Sequence, residues 1–162
     1  MGIASTNHDH DPEGSAMTAF TPQELAFLGG GRKAGGQGNL ARIATVGKDG
    51  TPHVVPVGMW THDPTEDTID VRGRDLEKTK KFRDVARSGR AAIVIDDMVK
   101  LDPSEREAAG GWDSRPRAVE VRGRAEAIME PQPLIRIHPE RIVSWGTDPD
   151  HPNERNARTV SS

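Results

Sequence analysis

The spacing of apolar positions changes character twice between Thr68 and Ile95. Ile69 and Val71 alternate with Asp70 and Arg72, the period-two pattern of a half-buried strand. Thr79, Phe82, Val85 and Ala86 then recur at helical spacing. The intervening segment therefore predicts a helix with Asp75 as its N-cap, Glu77 in its first turn and a stop at Ser88-Gly89. Ala91 to Ile95 is an unbroken apolar run closed by Asp96 and Asp97, which predicts a more deeply buried strand.

Similar patterns organise the flanks. Thr21-Pro22-Gln23-Glu24 combines a cap, a proline at the first helical position and an acidic first turn, so a short helix carrying Leu25, Phe27 and Leu28 is expected. Residues 41–46 and 51–58, joined by Gly47-Lys48-Asp49-Gly50, predict a β-hairpin. Pro52 and Pro56 cannot donate to a ladder, which leaves the second strand bulged or open on one side, a gap able to receive a ligand. Residues 98–115 read as a loop with at most one helical turn, and Trp112 within it as part of a lid or a dimer contact. Val119 and Val121 mark a strand over 116–128 with a bulge at Gly123. Leu134, Ile135 and Ile137 predict another, and residues 142–145 close the domain. The total is six or seven antiparallel strands with one strong helix and no βαβ alternation. The fold class is mainly β (α+β), a barrel with a helix packed on it. Residues 1–17 are expected to be a disordered tail, 18–146 the domain, and 147–162 a loose C-terminal tail.

Composition narrows the function. Apolar residues make up 33%, aromatics 4% with no tyrosine, and charged residues 29%, so an isolated monomer has little to bury and oligomerisation is expected. There is no cysteine, hence no disulfide, thiolate metal site or cysteine nucleophile. No segment has the length and apolarity of a membrane span or the form of a secretory signal, which predicts a cytoplasmic protein without a membrane partner. A formal net charge of −3 argues against nucleic-acid binding. His8 and His10 sit in a polar tail and make a poor metal site, so no metal is expected. Gly29 to Gly38 fits neither a Walker loop nor a dinucleotide fingerprint and reads as a flexible connection.

Charge is nevertheless concentrated. Between Arg72 and Arg90 eight basic residues face three acidic ones, a local +5 in a chain of −3. Lys78, Lys80 and Lys81 fall where the start of the helix leaves unpaired backbone N–H groups, an arrangement suited to phosphate or carboxylate. A solvated helix face with i,i+4 pairs such as Glu77 with Lys81 accounts for the same pattern, and spacing alone leaves both readings open.

The order of strand, Arg72-Gly73, Thr79-Lys80-Lys81, helix, Arg90 and apolar strand resembles the cofactor segment of the split β-barrel superfamily related to pyridoxamine 5′-phosphate oxidase. With RIATVGKDGTPHVVPVG, RPRAVEVRGRAEA and LIRIHPERIVSWG the resemblance covers most of residues 20–146 and is similar to the branch that uses coenzyme F-420, a deazaflavin. It implies a split β-barrel homodimer with a cofactor at each interface groove, and hydride transfer between the deazaflavin and an unidentified small organic substrate. FMN is the alternative cofactor, and a non-catalytic flavin or deazaflavin carrier the alternative role. By the same resemblance Thr79, Lys80 and Lys81 hold the cofactor phosphate, Arg72 or Lys78 reaches the phosphate or an acidic tail, Arg87 adds basic surface, and His53, Val55, Pro56 and Val57 lie along the ring. No catalytic acid or base is assigned, because the cofactor carries the redox chemistry. Arg136 and His138 sit in a setting unlike the substrate grip of true pyridoxamine-phosphate oxidases, so vitamin B6 oxidation is not expected.

Overall fold

The computed structural model describes residues 17–29, 31 and 38–161. Among the described residues there are eight strands: β1 (Leu40–Val46), β2 (Pro52–Val57), β3 (Met59–Asp63), β4 (Thr68–Arg72), β5 (Arg90–Lys100), β6 (Ser114–Ile128), β7 (Leu134–Trp145) and β8 (Arg155–Thr159). Three α-helices, α1 (Pro22–Leu28), α2 (Lys80–Ser88) and α3 (Pro103–Ala108), accompany them. All paired strands are antiparallel, in the order β2-β1-β5-β6-β7-β4-β3, with β8 added beside β7. β2 and β3 stand at opposite ends of that path, yet only Gly58 separates them in sequence. The sheet must therefore curl until its edges meet, which makes a split β-barrel.

The barrel interior holds Ile43, Trp60, Ile69, Val71, Ile93, Ile95, Val121, Ile135 and Ile137, all essentially buried. The predicted hairpin is present in register from Ala41↔Val57 to Val46↔Pro52, and its prolines are tolerated because β2 is an edge strand. The predicted bulge is at Arg122/Gly123, where a Cβ on Gly123 would lie 1.9 Å from the His138 carbonyl oxygen, so no side chain fits. Among the described residues no helix is long and apolar enough to cross a membrane.

Four expectations need correction. β4 is not half-buried: Thr68 to Val71 are all buried, because β3 and β7 pair on either side and Asp70, on the face opposite Ile69 and Val71, is covered by its ion pair with Arg136. α2 does not begin at Asp75, which has left-handed φ and no side-chain cap; a single 3-10 turn covers Leu76–Lys78, and Thr79 caps α2 instead. Residues 98–115 are not mainly loop. β5 and β6 extend as a paired arm from Arg90↔Arg124 to Lys100↔Ser114, and α3 at its tip is closed by an Asp102/Glu105 capping box. The C-terminal segment is not loose either: β8 pairs with β7, and Arg158 reaches back to the N-terminal helix. All of the predicted 1–17 tail but Met17, including His8 and His10, and most of the Gly29–Gly38 stretch lie outside the described residues.

Candidate cofactor site around the start of helix α2

α2 forms where Thr79, in extended backbone, turns its hydroxyl onto the first helical turn, accepting from the Phe82 N–H and donating to the Leu76 carbonyl at 2.6 Å. The helix ends at Gly89, whose φ of 67° suits the left-handed cap. Phe82 and Val85 are buried as predicted. Ala86 is exposed, and Asp84 takes the inward position. That carboxylate accepts from Lys80 Nζ at 2.7 Å and Thr45 Oγ1 at 3.0 Å, tying α2 to β1. The Lys80 hydrogen bond is the main reason the Asp84 carboxyl lies below its ordinary value, with Thr45 adding to it against burial. Lys80 and Asp84 also border an open groove of about 580 Å³ with Lys48, Asp49 and Arg83.

The basic residues of this segment divide by what they touch. Lys78 pairs with Asp75 at 3.1 Å, Arg72 approaches Asp70 at 3.7 Å, Arg90 meets Glu140 at 2.6 Å, Arg83 donates to the Lys78 carbonyl and Arg87 to that of Val46. Lys80 belongs to Asp84. Two have no hydrogen-bond or ion-pair partner among the described residues, Arg74 and Lys81. Arg74 is exposed, so water solvates it. Lys81 is half-buried in the first turn of α2, and burial pushes its ammonium below the ordinary lysine value. A partly desolvated cation beside free backbone N–H groups is the electrostatic requirement of an anion site.

The predicted ring-facing set on β2 does not share one face. His53, Val55 and Val57 point inward, whereas Pro56 points outward with Pro52 and Val54. A ligand lying on one face of β2 meets one group or the other. His53 stands opposite Thr45, and its buried Nδ1 has no hydrogen-bond partner. A buried, unsatisfied ring nitrogen is costly, so this atom has unused capacity for a ligand group.

Sequence reasoning missed three buried carboxylates: Asp84, described above, Asp70 and Glu24. Asp70, 1% exposed, is gripped by Arg136 through Nε at 2.9 Å and Nη2 at 2.7 Å, with Asp63 at 3.1 Å from the same guanidinium. Hydrogen bonding to Asp70 pushes the Arg136 guanidinium above its ordinary value. His138 is likewise taken, its Nε2 lying 2.6 Å from Glu126. Glu24, fully buried, meets Arg158 at 2.5 Å and Ser144 at 2.7 Å. Burial pushes the Glu24 carboxyl up, and the hydrogen bonds from Arg158, Ser144 and Thr21 outweigh it. Only the Lys80–Asp84 pair had a local signal, its i,i+4 spacing. Among the described residues no group of histidine and carboxylate side chains could hold a metal.

Comparison with known proteins agrees with this architecture. Residues 33–160 match the family model described as pyridoxamine 5′-phosphate oxidase. The chain is 38% identical over 152 residues to the 5a,11a-dehydrotetracycline/5a,11a-dehydrooxytetracycline reductase of Streptomyces rimosus, covering 88% of this chain and 94% of that one. A conserved hypothetical protein of Mycobacterium tuberculosis superposes with a TM-score of 0.54 at 19% identity, over 79% of this chain and 86% of the other. A heme-binding protein of Mycobacterium smegmatis does so with 0.52 at 14%, over 85% and 57%. At these low identities the two solved structures speak to the fold alone, but the family match and the reductase are sufficient: this chain belongs to the pyridoxamine 5′-phosphate oxidase family of split β-barrel proteins.

Proposed function

We propose that this chain is an oxidoreductase that uses reduced coenzyme F-420 to reduce a fused-ring organic substrate of the kind named for its Streptomyces rimosus relative. The observation that carries the cofactor assignment is Lys81: of the two basic residues of the segment without a hydrogen-bond or ion-pair partner among the described residues, Arg74 is exposed and Lys81 is the half-buried one. The residues fit an anionic deazaflavin. Lys81 and the first N–H groups of α2 meet the phosphate, and the exposed Arg74 offers a second positive charge to an acidic tail. The partly buried Val55 gives a ring an apolar contact, with Val57 behind it in the core, and His53 Nδ1 exchanges a hydrogen bond with a polar ring edge. When bound, the deazaflavin supplies the hydride. The protein's part is to hold the phosphate, exclude water from the ring and place the substrate. Thr79 acts through α2, since its hydroxyl proton is directed to Leu76.

The working unit in this proposal is a homodimer. Leu40, Val46 and Val54 are 49%, 43% and 65% exposed, and with Pro52 and Pro56 they form a largely apolar outer surface across β1 and β2, interrupted by the Arg42–Asp96 pair. A second copy covering that surface is its natural occupant. Titrating the purified protein with F-420 and with FMN, followed by absorbance, tests the cofactor: saturable binding of F-420 with weaker FMN binding is expected. Tighter binding of FMN would transfer the reading to a flavin enzyme, and binding of neither would end it.

A further inference from the structure

Another cleft lies elsewhere on the molecule. It measures about 640 Å³ and sits where the β5–β6 arm and α3 approach the segment at Pro152 and Asn153. Its walls include Met98, Leu101, Ala108 and Pro116, with Trp112 at the rim. Trp112 is 73% exposed and Met98 62%, unusual for two of the largest apolar side chains of so polar a protein. Few apolar residues are available to this chain, and several of them are spent here on a surface that packs against nothing in the monomer.

The polar groups of the lining define the rest. The Glu105 carboxylate is held in its capping box by the Asp102 N–H at 2.8 Å. Asp113 accepts from Ser114. Arg115 Nη1 donates to the carbonyls of Gly146 at 3.0 Å and Pro152 at 3.4 Å, and the guanidinium has no carboxylate partner among the described residues. A guanidinium has five N–H donors, so Arg115 keeps donors for a ligand oxygen. Glu105 and Asp113 repel a phosphate or any polyanion, while one delocalised negative charge can settle against Arg115. The volume suits a ligand of drug size, and the exposed indole suits stacking on a flat ring.

We infer that this cleft is a binding site for a flat fused-ring molecule bearing a single ionised oxygen, and that it is where the substrate docks. The second half of the inference rests on the function proposed above. The cleft and the start of α2 lie at opposite ends of β5, whose ten steps from Arg90 to Lys100 span on the order of 30 Å. Lys81 holds the phosphate, while a ring at Val55 stands level with Ile93, five steps from Met98 along β5 and two strands across, on the order of 20 Å from the cleft, so the substrate bound here reacts with a cofactor held by a second copy.

The test uses the full chain and anthraquinone-2-carboxylate as probe, with the neutral anthraquinone-2-carboxamide beside it, followed by calorimetry. Saturable binding of the carboxylate, severalfold tighter than the amide, is expected. Trp112→Ala should weaken it about tenfold. Ala108→Trp, which fills the cleft from an exposed position, should abolish it with no change in melting temperature. Equal binding in wild type and both variants, or none in wild type, overturns the site. F-420 titration of the same variants separates the two ideas. Unaltered F-420 affinity in Trp112→Ala and Ala108→Trp is expected. Failure of F-420 to bind wild type defeats the proposed function while the ring site stands on the probe data. The docking role is read with mixed dimers of Lys81→Ala and Ala108→Trp protomers acting on 5a,11a-dehydrotetracycline, the substrate named for the relative. At an F-420 concentration too low to serve Lys81→Ala alone, recovery of activity on mixing the two variants is expected, and no recovery overturns the cross-subunit arrangement.

Discussion

At the residue scale, Lys81 and Lys80 are neighbours with opposite circumstances. Lys80 is tied to Asp84, whereas Lys81 bears a desolvation cost with no partner among the described residues. Because burial lowers the Lys81 pKa, its charge disfavours folding at pH values below that lowered pKa, and the penalty fades as pH rises through it. Lys81→Ala should therefore leave the melting temperature unchanged or slightly higher at neutral pH. Loss of a charge-assisted hydrogen bond of roughly 1.5–3 kcal/mol should meanwhile weaken F-420 binding about ten- to a hundredfold. Calorimetry on the single and double alanine variants of Lys80 and Lys81 reads both. Wild-type affinity in the double variant would remove the phosphate from this site. Anion binding favours the charged lysine, so F-420 affinity should also fall as pH rises through the lowered Lys81 pKa, and a flat alkaline profile would contradict the contact.

At the scale of elements, α2 is fastened to β1 through Asp84. Its carboxyl is depressed mainly by Lys80, so the contribution is present above the ordinary aspartate value of 3.8 and is lost as pH falls through the lower folded value. Thermal melts of wild type and Asp84→Ala should differ at pH 6 and converge at pH values below the folded one. A constant gap down to strong acid would mean that packing, not charge, makes the fastening. The β4–β7 contact depends more heavily on charge. Asp70→Ala leaves the Arg136 guanidinium facing a vacated buried position, with Asp63 and the more distant Glu66 as its remaining partners. A loss of about 3–5 kcal/mol in denaturant unfolding is expected, since breaking a buried pair costs far more than an exposed one.

For the whole molecule, the ends of the chain hold each other. Arg158 on β8 serves Glu24 on α1 and the Ala19 carbonyl, across more than 130 residues of sequence. Arg158→Ala should destabilise the protein by about 3–5 kcal/mol through the unpaired Glu24, and truncation before Arg155 should act in the same direction. The exposed apolar surface of β1 and β2 predicts sedimentation as a species of twice the chain mass at micromolar concentration. A monomer alone would reject the dimer and with it the cross-subunit substrate site.

Local physics determined much of this from sequence. Period-two alternation located the hairpin and β6. Thr21-Pro22-Gln23-Glu24 located α1, Gly89 ended α2 and Gly123 marked the bulge, because caps, left-handed positions and steric exclusion act within a few residues. The local excess of basic charge located the candidate site, and a resemblance over most of the chain indicated the split barrel. What charge counting could not reveal was which cation is free, because partners such as Asp75, Asp70, Glu140 and the Val46 carbonyl are chosen by three-dimensional proximity. Nor could Asp70, Glu24 and Asp84 be recognised as buried, since each carboxylate is matched by an arginine, hydroxyl or lysine that often lies far away in sequence. The arm of β5 and β6 and the attachment of β8 arise in the same way. The short Met98-Val99-Lys100 and the polar residues 155–159 have weak strand signals of their own, and it is the neighbouring strand, supplying a ladder of hydrogen bonds, that decides their conformation.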